Sequence, residues 1–359
     1  MATRTDSRSP ARRLDGPQPV LVLLAAALAS PTTAQEQSPA PRAPEGVKPA
    51  VEEQEAVPAP PTFRWVDGFG RREDGKALGS THGCVVVDGK GRLLANTDTE
   101  DAVLVLSKEG MVVGSWGKEF RGGLHGMTRR VEDGKEVLYL AHTMRNETMK
   151  TTIDGDVIWT LGFPESTGIY KKADEFHPTA IVTSSDGRIY VADGYGKSWI
   201  HIYDKDRVHQ KSFGGSGVET GKFQTPHGLM IDTRNGSELL LVCDRENHRL
   251  QWFTLDGTFV RESRDGMLRP CNAAALEDGM LAVADLAGRV TILGKDDKPI
   301  AVLGDGAPND KRATNQVDPE LWQKDRFFAP HSVCADDDGN LYVMDWNVHG
   351  RISKLLRVR

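Results

Sequence analysis

The feature that most constrains this chain is a repeat with a period of roughly 40 residues. FHPTAIVTSSDGRIYVADGYG from Phe176, TPHGLMIDTRNGSELLLVCDREN from Thr225, RPCNAAALEDGMLAVADLAG from Arg269 and APHSVCADDDGNLYVMDWN from Ala329 are copies of one unit, and weaker copies start at Thr81 and Leu124. Each runs from an apolar strand through an Asp/Gly turn into a second strand of the LYVAD type, then a third such as RLQWFTL and a fourth ending near Gly. Four short strands per unit at this period describe a propeller blade. A single blade cannot bury both of its faces, so six copies must close into a ring. The last copy stops at its third strand, RISKLLRV, whereas FRWVDGFG at residues 63–70 matches the fourth strands. The expected fold is therefore an all-β, six-bladed β-propeller over residues 63–359, closed by an N-terminal strand that completes the last blade.

Residues outside the repeat read differently. Arg4, Arg8, Arg12 and Arg13, an apolar run from Val20 to Ala29 and small residues to Ala34 form the pattern of a secretory signal over residues 1–34. The run spans about 10 residues, where a bilayer needs roughly 20. Residues 35–62 are rich in Pro, Ala and Glu and lack large apolar side chains, so they are expected to be a flexible linker. Export to the periplasm or the medium follows from these expectations. Loss of residues 1–34 removes four Arg and two Asp, which takes the net charge from -6 to -8. An acidic body argues against nucleic acid, or a membrane beyond the export step, as partner. A small peptide-derived substrate, or a peptide or protein ligand, is expected instead, with the chain a monomer. Cys84, Cys243, Cys271 and Cys334 fall in different repeats without paired spacing and read as buried free thiols.

Aligned, the copies open their innermost strands on His82, His125, Thr179, His227, Cys271 and His331, and end their second strands on Asn96, His142, Asp193, Asp244, Asp285 and Asp345. Antiparallel neighbours place both sets at one mouth of the central channel. His125, His227 and His331 come from alternate blades, which near-sixfold closure sets about 120° apart around the axis. Three imidazoles with an open fourth position form a common catalytic zinc arrangement. A His after Pro at a turn can equally bond a neighbouring carbonyl. His82 breaks the alternation and reads as a supporting or structural residue. Tyr195 and Arg245 lie just past second strands at the same mouth, where a phenol can move a proton and a guanidinium can hold a carboxylate.

On these residues the chain, made of NHL-type repeats, resembles the lyase domain of peptidylglycine α-amidating monooxygenase, a six-bladed propeller that splits peptidyl-α-hydroxyglycine into amide and glyoxylate. The likeness covers roughly residues 63–359 and is most specific from YVADGYGKS through FQTPHGLM to CDRENHRLQWF. It implies that His125, His227 and His331 bind zinc, that Tyr195 is catalytic and that Arg245 contacts substrate. The family's second Arg, in its first blade, is here Thr97. The Asp of its calcium site is here Ser332, which speaks against calcium, and Gly196 removes its disulfide beside the Tyr.

The leading expectation is a zinc-dependent lyase acting on an N-acyl-α-hydroxyglycine. The alternative is a noncatalytic propeller that binds a peptide, glycan or protein on the same mouth. A metal-dependent lactonase would lean on carboxylate and amide ligands, against which the His trio discriminates. The long connection at residues 304–328 exceeds ordinary loop length and is expected to cover part of one mouth.

Overall fold

The computed structural model describes residues 60–358. The expected signal segment, residues 1–34, and the linker as far as residue 59 lie outside them. Among the described residues the strands form six four-stranded antiparallel sheets, five of them in plain chain order. The sixth is built from Pro330–Ala335, Leu341–Asp345, Arg351–Val358 and, on its outer edge, Thr62–Trp65 from the other end of the chain. Thr62 pairs with Val358 and Trp65 with Leu355, and the Trp65 ring lies 4.6 Å from that of Phe327. The ring is thus closed as the sequence implies. Among the described residues no helix is long and apolar enough to cross a membrane.

The second strand of a blade is covered on both faces by neighbouring blades, which is why it reads as a continuous apolar run. Leu281–Asp285 and Leu341–Asp345 are buried at every position, whereas the outermost strands Val112–Trp116 and Val157–Leu161 are exposed or half-buried throughout. The core lies between blades. Ala282, Ala284 and Ile292 of the fifth pack on Val333, Leu341 and Val343 of the sixth, and Leu93, Ala95 and Leu104 of the first on Tyr342, Met344 and Ile352 of the sixth. Each fully buried Leu or Val contributes about 1.5–3 kcal/mol, so ring closure is driven by these interfaces.

The acids that end the second strands do not line the mouth, as their register suggested. They are buried and hold the segment leading into their own blade. Asp193 accepts the His177 N–H (2.7 Å), Asp244 that of Gln224 (2.8 Å), Asp285 those of Leu268 (2.7 Å) and Arg269 (2.9 Å), and Asp345 those of Phe328 (3.0 Å) and Ala329 (2.7 Å). His142 acts similarly with a neutral group, donating to the Phe120 carbonyl, whereas Asn96 donates to the His125 carbonyl of the next blade. These clamps fix where each innermost strand begins.

Candidate metal centre

In five blades the ladder between first and second strands slips where the first strand opens, between Thr81 and Val85, Leu124 and Gly126, Pro226 and Gly228, Pro270 and Asn272, and Pro330 and Ser332. A bulged residue leaves the ladder and its side chain is re-aimed. The skipped positions include His82, His125, His227, Cys271 and His331, which converge at the axis. The glycine after His is needed there. A Cβ on Gly228 would stand 2.3 Å from the Cys271 carbonyl oxygen, and one on Gly126 2.8 Å from that of Thr179, because adjacent blades touch backbone to backbone.

Each of the three expected ligands uses Nδ1–H on a carbonyl at the opening of the following blade: His125 on Thr179 (2.7 Å), His227 on Cys271 (2.9 Å) and His331 on Gly83 (2.9 Å). A carbonyl only accepts, so the tautomer is set and Nε2 carries the lone pair. Carbonyl bonding and ligand presentation therefore coexist on opposite ring nitrogens. The ring centroids lie 4.5–4.9 Å apart. Burial holds all three imidazoles well below the ordinary His pKa, which keeps them neutral and able to ligate.

Tyr195 joins this cluster. Its hydroxyl oxygen is 3.2 Å from His125 Nε2, 3.0 Å from His227 Nε2 and 3.3 Å from the donating Nη1 of Arg245. Burial raises the phenol pKa, and the Arg245 guanidinium opposes that shift. The glycines beside Tyr195 are steric necessities: a Cβ on Gly194 would meet the Pro226 carbonyl at 2.4 Å, and one on Gly196 the Asp193 carboxylate at 2.1 Å. Arg245 is aimed by its Nε on Glu246 (2.8 Å), which is paired in turn with Arg269.

The Nε2 of His331 is buried and has no hydrogen-bond partner. An orphaned lone pair among neutral imidazoles is what a metal site presents without its ion, so the donor set fits a metal. Donor atoms within 4.8 Å of one another form two groups that share His331, namely His82 with His125, and His227 with Cys271. The expected trio is divided between them, with the Tyr195 hydroxyl standing between His125 and His227. Cys271 is the site residue that sequence reasoning passed over as an inert thiol. The signal was present, since Cys271 occupies the blade-five position of the same ring. Burial pushes its thiol pKa up to about 12, with Arg245 opposing. A cavity of about 20 Å³, lined by His125, His227, Cys271 and His331 together with Cys84 and Asn272, lies at the cluster and is large enough for one water-sized occupant.

The rest of the mouth differs blade by blade. His82 packs against His125 and His331 at centroid distances of 5.0 and 4.8 Å, with Nδ1 3.7 Å from the Asp98 carboxylate. Thr97 turns its hydroxyl onto the Asp101 carbonyl and Thr99, within its own loop. Ser332 accepts the Val85 N–H (3.2 Å) and donates to Asn272 (3.4 Å). All four cysteines are free; Cys243 and Cys271 are buried as expected, but Cys84 and Cys334 are only half-buried. The connection at residues 304–328 lies at this same mouth. Its Asn315 and Val317 carbonyls accept from Val348 and Asn347, and its Ala313, with Trp346, packs against Cys271, Leu286 and Ala329.

Comparison with known proteins finds relatives of this chain. The chain is 28% identical over 179 residues to the peptidylglycine alpha-amidating monooxygenase of Rattus norvegicus, a match covering 47% of this chain and 17% of that protein. It is 30% identical over 277 residues to peptidyl-alpha-hydroxyglycine alpha-amidating lyase 1 of Drosophila melanogaster, covering 69% of this chain and 47% of that one. The chain thus spans less than half the length of these curated relatives. No family model matches it. Among solved structures, virginiamycin B lyase from Staphylococcus aureus superposes with a TM-score of 0.54 at 13% identity, covering 83% of this chain and 100% of that one. A protein of unknown function from Bacteroides thetaiotaomicron gives 0.59 at 16% identity, covering 83% and 76%. At those identities the structures share the fold alone. The sequence matches make the chain a distant homologue of the amidating-lyase propellers.

Proposed function

We propose that this distant homologue of the amidating lyases is itself a zinc-dependent lyase, cleaving the C–N bond of an N-acyl-α-hydroxyglycine to release an amide and glyoxylate. The observation that carries the reading is the convergence of neutral imidazole lone pairs on the Tyr195 hydroxyl beside Arg245. His125, His227 and His331 would hold the zinc, which when bound supplies a Lewis acid that favours the ionised form of a nearby oxygen.

The chain's own residues account for the remaining chemistry. Arg245, held by Glu246, pairs with the substrate carboxylate and fixes the α-carbon near Tyr195. Its guanidinium also favours the phenolate that burial disfavours, which suits Tyr195 to take the proton of the substrate's α-hydroxyl. As that proton leaves, the carbinol C–O becomes the aldehyde C=O, the C–N bond breaks, and the departing nitrogen takes up a proton to become the amide. Trp346 and the 304–328 connection wall the mouth on the side of the fifth and sixth blades, where the acyl portion would lie against apolar surface.

The deciding experiment measures metal by plasma mass spectrometry on untagged chain, and glyoxylate release from an N-acyl-α-hydroxyglycine. About one zinc per chain, lost together with turnover in a variant with Ala at His125, His227 and His331, is expected. Folded wild-type chain that holds no metal and releases no glyoxylate overturns the proposal in favour of a binding propeller.

A further inference from the structure

We propose that the Cys271 sulfur is a ligand of this centre, so that its ion is held by mixed nitrogen and sulfur donors and not by imidazole alone. The inference rests on the metal reading above and adds a donor to it.

Three observations carry it. Cys271 sits at a bulge in the same register as His227 and His331, fully buried, and its sulfur groups with their nitrogens within 4.8 Å. The residue is also built into the ligand frame already, because its carbonyl accepts His227 Nδ1–H at 2.9 Å and so aims that ring. Finally, the Nε2 of His331, a residue of the same group, is buried without a partner, an independent sign that this side of the cluster faces a missing electrophile.

The contrast with Cys243 is instructive. That thiol packs with Leu241, Leu250 and Trp252, as a small apolar core residue does. The Cys271 thiol faces Arg245 and two imidazoles, and clusters with Leu286 and Ala329. As the ion binds, the thiol gives its proton to solvent and the sulfur lone pair forms the metal–sulfur bond, with no change of oxidation state. A thiolate donor selects thiophilic ions such as zinc, cobalt and cadmium, and disfavours magnesium and calcium.

Cobalt(II) titration of the chelator-stripped full chain tests this. Wild type is expected to develop a near-ultraviolet thiolate-to-cobalt charge-transfer band that saturates with the visible ligand-field bands. Cys271→Ser and Cys271→Ala are expected to lose the charge-transfer band while the imidazoles retain the visible bands. Cadmium NMR of the wild-type chain gives a readout that needs no variant, its resonance moving to the sulfur-ligated region. Visible bands without charge transfer in wild type, or a charge-transfer band that survives in Cys271→Ser, overturns the proposal and leaves the lyase reading standing. Wild type that takes up no cobalt overturns both.

Discussion

Replacing Tyr195 with Phe separates the chemical role of the phenol from its place in the cluster. The hydroxyl touches His125 Nε2, His227 Nε2 and Arg245 Nη1, yet it has one proton for two acceptors. At most one imidazole gains a full hydrogen bond, worth about 1 kcal/mol net, and the other faces an oxygen lone pair. For a chain of this size that amounts to about 2 °C in melting temperature. Zinc content is expected to hold, because the change frees an imidazole lone pair and removes no imidazole donor. If Tyr195 takes the α-hydroxyl proton, kcat/KM for glyoxylate release falls about 10²–10⁴-fold. Calorimetry, plasma mass spectrometry and a glyoxylate assay on the same preparation read the three quantities. Undiminished turnover refutes the proton-transfer role, and loss of metal shows that the phenol was holding the ion.

Asp244→Ala removes a fully buried carboxylate that binds Arg249 Nε (2.7 Å), Gln251 (3.0 Å), Asn247 (2.8 Å) and the Gln224 N–H (2.8 Å). Arg249 keeps Glu262 (2.9 Å) and the Glu219 and Lys222 carbonyls, so the loss is that of one buried charge-assisted contact and its companions, about 3 kcal/mol, and calorimetry is expected to show a melting temperature lower by roughly 6 °C. Gly228→Ala drives a Cβ into the Cys271 carbonyl, which no rotamer change relieves. About 1–3 kcal/mol of stability and the aim of His227 should be lost together, read as lower melting temperature and reduced zinc. On acidification, burial keeps the imidazoles neutral in the fold, with His142 pushed down to about 4. The unfolded chain takes up those protons near pH 6.5, so stability is complete above that pH and declines toward pH 4. His142 alone accounts for about 3 kcal/mol of the decline. A melting temperature that is flat across this window contradicts the burial argument.

The ring and its closure were legible because a blade must repeat its apolar pattern, and because residues 63–70 complete a motif that the last copy leaves unfinished. The convergence of His125, His227 and His331 was legible for the same reason, since equal register means equal position on the axis. What the sequence could not supply is whatever depends on the neighbouring blade. The carbonyls of Thr179, Cys271 and Gly83 that set each tautomer come from the next repeat. Cys271 reads as an ordinary core thiol until Arg245 and His331, from the fourth and sixth blades, are brought beside it. The strand-ending acids shared the register of the ligands but are turned to backbone N–H groups, a distinction of direction that spacing does not encode.

The sixth blade joins Thr62–Trp65 to Arg351–Val358, so the two ends of the described chain are hydrogen-bonded neighbours. Closing a loop of nearly 300 residues costs about 3 kcal/mol more entropy than closing a hairpin within one blade. That contact is therefore expected to form late, after five blades have stacked, and until then the outer edge of Arg351–Val358 is an open template. A second copy offering its own Thr62–Trp65 could occupy that edge, so concentrated refolding favours exchanged dimers over closed rings. New termini cut between any other two blades, with the present ones joined by a short link, would move the seam elsewhere. The candidate metal site would be untouched, because His125, His227 and His331 are each held by a carbonyl of an adjacent blade.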